Sequence, residues 1–151
     1  KYAPLEKEHM LSNTPAIPEK YKDYKTYEQW LREYAAAARM KGAHVIFATS
    51  IYRRQFNGET PINSQCGYPE AMTATAAELN VPVLDLHTRT GEWISNLGYD
   101  GSLKYFMAFH GGTDNTHLTY DGAVEIANLA IGEMNRLGLP IAKYTNQVPK
   151  R

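Results

Sequence analysis

The sequence holds a single cysteine, Cys66, which excludes an internal disulfide framework and any cysteine-based zinc cluster. No apolar run approaches the length of a membrane span. Neither charge is in excess: 16 Lys plus Arg stand against 16 Asp plus Glu, with no basic run. The electrostatic ground for nucleic-acid binding is therefore missing. No Gly-x-Ser-x-Gly elbow and no His-Glu-x-x-His helix occurs. Internal repeats and low-complexity tracts are likewise absent. No signal peptide is visible, and the first residue is Lys rather than Met, so the expectation is a chain from which a preceding segment has been removed. A length of 151 residues suits one domain with a real core.

What is there centres on Gly111-Gly112-Thr113-Asp114-Asn115-Thr116-His117-Leu118. A carboxylate stands three residues before an imidazole, and Asp121-Gly122-Ala123 opens the last long helix. Serine-type hydrolysis needs an imidazole to take the nucleophile's proton and a carboxylate to hold the ring in the right tautomer. One short loop between a strand end and a helix start can present both. The plainer alternative is that Asp114 only caps a turn.

Taken in order, residues 1–24 carry Pro4, Pro15 and Pro18 and no sustained period, which predicts a long surface loop, either a tail or a cleft wall. Thr26 with Gln29 makes a capping box. Tyr27, Trp30, Leu31, Tyr34, Ala35 and Ala38 follow on one helical stripe, closed by Gly42. The apolar runs 43–50 and 81–86 suit strands covered on both faces of a parallel sheet. Arg53 and Arg54 lie beyond the first of these, at the end where open α/β sheets bind ligands. One guanidinium there could grip a ligand carboxylate or brace a loop, or the pair could simply be solvated. A helix over 69–80 carries Pro at its first turn. Asp85 and His87 stand at the second strand's end, His87 as a hydrogen-bonded loop residue or a metal ligand. Helices are expected over 88–97, ended by Gly98, over 102–109, and over 121–137. The last has Ala123, Ile126, Ala127, Ala130, Met134 and Leu137 on one face.

Three features in this order resemble one family. They are a helix-Gly-strand ending in Ser50-Ile51-Tyr52-Arg53-Arg54, a strand ending in Asp85-Leu86, and Asp114-Asn115-Thr116-His117-Leu118 followed by Gly122-Ala123. Together they resemble the carboxyl-terminal part of the SGNH (GDSL-like) hydrolases, in the rhamnogalacturonan acetylesterase branch, from about Thr26 to Leu137. The resemblance implies an α/β protein with a flavodoxin-like α/β/α sandwich and a parallel sheet, incomplete in this chain. It also implies a secreted or periplasmic Ser-His-Asp esterase that removes acetyl groups from plant cell-wall polysaccharide without cofactor or metal. By match to the motif, His117 would be the general base and Asp114 its orienting carboxylate, with Arg53 and Arg54 as candidate substrate-binding residues. The family's Gly-Asp-Ser nucleophile block and Gly-His-Asn-Asp block do not occur here.

A physical count agrees with that absence. Two buried parallel strands are not independently stable, and at least one edge would be apolar and unpaired. The expected arrangement is therefore the carboxyl-terminal part, residues 1–151, of a single domain, completed by an amino-terminal segment as partner. Ser50 ends a strand, yet no nucleophile elbow surrounds it. Two other readings stay open: a carbohydrate-binding or scaffold module without catalysis, and a metal hydrolase using His110, Asp114 and His117.

Overall fold

The computed structural model describes residues 25–147 and 149; the loop expected over 1–24 lies outside the described residues. The chain is a mixed α/β fold with helices and a small parallel sheet, and it divides into two compact units.

The first unit runs through Thr49 and takes in Gln65–Val83. Helix α1 (Tyr27–Met40) begins at the expected capping box, with the Thr26 hydroxyl accepting from Gln29 and the Gln29 side chain accepting from Thr26. These bonds satisfy amide donors that the first turn would otherwise leave open. Only Leu31 and Ala35 of the predicted stripe are buried; Tyr34 is 66% exposed and stacks on Trp30. Strand β1 (Phe47–Ala48) is shorter than the expected 43–50. Helix α2 (Tyr68–Leu79) has Pro in its first turn and ends on Asn80 in the left-handed region, which asparagine tolerates. Leu31, Ala35, Phe47, Ala76 and Val81 form the core of this unit. Strand β4 (Val83–Leu84) pairs with β1, and the Phe47 N–H donates to the Pro82 carbonyl at 2.9 Å.

The fuller sandwich implied by the resemblance is thus represented by two short parallel strands. The physical reason is pairing: a strand's length is set by the neighbour that accepts its hydrogen bonds, and apolar sequence alone does not extend a ladder.

The second unit comprises Ser50–Ser64 and the described residues from Leu84 onward. A hairpin of β2 (Phe56–Asn57) and β3 (Thr60–Pro61), turning at Gly58-Glu59, occupies what reads in sequence as loop. Helix α3 spans Leu86–Leu103, with Asp85 capping Thr88 N–H. Gly98, at φ 70° and ψ −176°, breaks it where sequence expects a stop. The helix expected over 102–109 is instead the tail of α3 and a 3₁₀ turn at Met107–His110. Helix α4 (Tyr120–Arg136) starts at Thr119, whose hydroxyl accepts from Gly122 N–H.

The apolar face expected on α4 is only half-buried, and Ala123 is exposed. Its buried positions are Gly122, Val124 and Glu133. Glu133 is buried because arginines meet it: Arg136 donates from Nε and Nη2 at 2.9 and 2.7 Å, and Arg89 Nε from α3 at 2.8 Å. The Asp85 N–H approaches it at 3.3 Å. These donors, Arg136 foremost, hold the Glu133 carboxyl down to about 2 against the opposing effect of burial.

Candidate active site

The loop between the 3₁₀ turn and α4 is held at both ends by backbone pairing. Phe106 bridges Leu118 in antiparallel register, Met107 N–H donates to the His117 carbonyl at 2.9 Å, and Ala108 N–H donates to the Asp114 carbonyl at 2.8 Å. Phe106 is 1% exposed and anchors this pairing in the unit's interior. Gly111, at φ 90°, supplies the left-handed turn that a side chain would oppose.

Within that frame Asp114 uses both carboxylate oxygens. Oδ1 accepts from the N–H groups of Thr116 and His117, each at 3.0 Å, and Oδ2 lies 2.7 Å from His117 Nδ1. The turn that Asp114 caps and the pairing with the imidazole are therefore one arrangement. The His117 amide, then the Thr116 amide, then the ring stabilise the ionised form and hold the Asp114 carboxyl down to about 2. With Oδ2 as acceptor, the neutral ring keeps its proton on Nδ1 and presents a free lone pair at Nε2. The His117 side chain is 78% exposed, against 43% for Asp114, so Nε2 is accessible. The imidazole is thus tied to the carboxylate on one side and open to solvent on the other.

Arg54 lies behind the loop, 3% exposed. Its Nη1 donates to Asn115 Oδ1 at 2.8 Å, its Nε to Ser102 Oγ at 3.0 Å and its Nη2 to the Tyr99 carbonyl at 2.6 Å. Its backbone N–H also donates to the Asn115 carbonyl at 2.9 Å. Of the roles open to this residue in sequence, its position suits the loop brace, since every guanidinium nitrogen is engaged inside the unit. Arg53 is half-buried, and its Nε has no hydrogen-bond partner among the described residues.

His87 sits in the first turn of α3, buried, with Nδ1 3.3 Å from the Ser50 carbonyl and its ring stacked on Tyr52. Among the described residues no group of three or more His, Cys, Asp or Glu side chains could hold a metal ion. His110 packs against Phe109, and the trio His110, Asp114 and His117 does not gather into a metal centre. A residue that sequence reasoning missed is Asn115, which links the dyad's loop to Arg54. Its place inside the Asp-x-x-His stretch was visible, but its partner 61 residues away was not.

No family model matches the chain. Among curated proteins it is 40% identical over 137 residues to the rhamnogalacturonan acetylesterase RhgT of Bacillus subtilis (strain 168), covering 84% of this chain and 59% of that protein. It is 38% identical over 127 residues to the probable rhamnogalacturonan acetylesterase YesY of the same organism, covering 83% of this chain and 58% of the relative. The chain thus spans a little under six tenths of the length of the curated relatives it matches. Among solved structures, the crystal structure of protein YXIM from Bacillus subtilis superposes with a TM-score of 0.66 at 23% identity, over 75% of this chain and 31% of that one. That likeness concerns the fold alone. The two aligned relatives, each matched over most of this chain, establish that it belongs to the rhamnogalacturonan acetylesterase branch of the SGNH (GDSL-like) hydrolases.

Proposed function

We propose that the chain is the carboxyl-terminal part of a serine esterase domain and supplies its His117 base and Asp114 carboxylate. The substrate class is acetylated plant cell-wall polysaccharide of the rhamnogalacturonan or pectin type. The observation that carries this reading is the 2.7 Å contact between Asp114 Oδ2 and His117 Nδ1 in a ring otherwise open to solvent. The names of the two curated relatives supply the substrate class.

In the proposed reaction, His117 Nε2 takes the proton of a serine hydroxyl contributed by an amino-terminal segment. The alkoxide adds to the acetyl carbonyl, and donors from the same segment stabilise the oxyanion. His117 then passes the proton to the departing sugar oxygen. In the second half it activates water, which releases acetate and restores the serine. Asp114 keeps the Nδ1 proton in place throughout and stabilises the imidazolium as it forms. Neither a metal nor an organic cofactor takes part. Arg53 is assigned to a substrate carboxylate, such as that of a uronate. The site of action is outside the cytoplasm, secreted or periplasmic, where such polysaccharide is met.

The test is an esterase assay on the full-length protein with para-nitrophenyl acetate and with acetylated pectic polysaccharide. Turnover abolished by a serine-directed inhibitor and indifferent to EDTA is expected. Inhibitor resistance with chelator sensitivity would replace this mechanism with a metal-dependent one. Binding of polysaccharide without turnover would replace it with a carbohydrate-binding module.

A further inference from the structure

We propose that Arg54 is a positioning residue for the His117–Asp114 pair, acting through Asn115; the inference rests on the esterase reading above for its kinetic consequence. Arg54 and Asn115 are joined twice, from backbone N–H to carbonyl at 2.9 Å and from Nη1 to Oδ1 at 2.8 Å. Asn115 directly follows Asp114 and lies two residues before His117, so a shift of its peptide moves the carboxylate and the imidazole together. On its other side Arg54 is fixed by Ser102 Oγ, by the Tyr99 carbonyl, and by the Tyr99 ring 4.4 Å from its guanidinium carbon. The guanidinium therefore transmits the position of the Gly98 break in α3 to the loop carrying the dyad. A planar five-donor fork can satisfy three acceptors in fixed directions, which a lysine ammonium on a flexible stem cannot. Burial makes the arrangement demanding at Ser102, which is fully buried with Arg54, so that a donor lost there is not replaced by bulk water.

The test compares Arg54→Lys, Asn115→Ala and the double variant in the full-length protein. Two readouts are followed: kcat per titrated active site, and the hydrogen-bonded Nδ1 proton resonance of His117. Each single variant is expected to lower kcat, on the order of a hundredfold for Arg54→Lys, with KM unchanged. The double variant should lose little more than Arg54→Lys, since both act on one link. The Nδ1 resonance should weaken or vanish in parallel, although the folded fraction is unchanged. Additive losses, or a stable Arg54→Lys protein with unaltered kcat and resonance, would overturn the proposal. If Arg54→Lys does not fold, Asn115→Ala decides: an unaltered resonance overturns it, a weakened one supports it. Should the full-length protein prove not to be a serine esterase, the resonance still reads the coupling, so failure of the esterase reading and failure of this inference are separately visible.

Discussion

A Cβ added at Gly122 would stand 2.1 Å from the carbonyl oxygen of Tyr105. That carbonyl also accepts from Thr119 N–H at 3.0 Å, so the start of α4 and the strand-like segment before the 3₁₀ turn are pressed together there. Backbone, not a flexible side chain, opposes any larger residue. Gly122→Ala is expected to destabilise the protein by about 1–3 kcal/mol, the usual range for overpacking without a yielding neighbour. Urea unfolding measures this, and a change within about 0.5 kcal/mol would show that the approach relaxes freely.

Asp114→Asn keeps the size of the side chain but removes the charge and the certainty of an Nδ1 proton on His117. If the full-length protein has the proposed esterase activity, kcat should fall on the order of 10⁴-fold with KM little changed. A loss under tenfold would remove Asp114 from the mechanism.

The Asp114 carboxyl is held down to about 2 from 3.8. Its pairing therefore favours the native state above its ordinary value and fades as pH falls through about 2. Between pH 7 and pH 4 it stays ionised, so an acid limb of kcat in that interval must belong to another group. Carboxyl carbon chemical shifts followed by NMR should show no Asp114 inflection above about pH 3.

Glu133 is 3% exposed and held down to about 2 from 4.5, with its arginine partners in contact with water. Its ion pairs contribute above pH 4.5 and are lost as pH falls through about 2. Glu133→Gln should cost about 2 kcal/mol at pH 7, less than a fully buried pair because Arg89 and Arg136 remain partly hydrated. The deficit against wild type should shrink on acidification toward pH 2. A deficit independent of pH would mean that packing, rather than charge, sets the cost.

Arg53→Gln should reduce kcat/KM on a uronate-containing acetylated oligosaccharide about tenfold more than on a neutral one, in keeping with loss of one charge-assisted hydrogen bond. Equal losses on both would withdraw the carboxylate assignment.

Local chemistry was legible from sequence. The capping box at Thr26 and Gln29, the proline entry of α2, the break at Gly98 and the Asp114–His117 spacing all depend on residues within four positions of one another. Long-range satisfaction was not legible. Arg54 was one of two adjacent arginines with several open roles until Asn115, Ser102 and Tyr99 closed around it. Nothing in the local pattern marks Glu133 as buried, since its partner Arg89 lies 44 residues earlier. The runs 43–50 and 81–86 were apolar enough for buried strands, yet only two residues of each pair in the ladder. The helix expected over 102–109 failed because Phe106 bridges Leu118 instead of joining a helical turn.

The outward-facing imidazole has one more implication. With the His117 side chain largely exposed, solvent screens the pair and softens the field at Nε2. In the proposed mechanism, polypeptide or substrate docking over residue 117 expels that solvent and sharpens the field when a proton has to move. On that proposal the pair is assembled beforehand but amplified only under cover, which ties reactivity to occupancy.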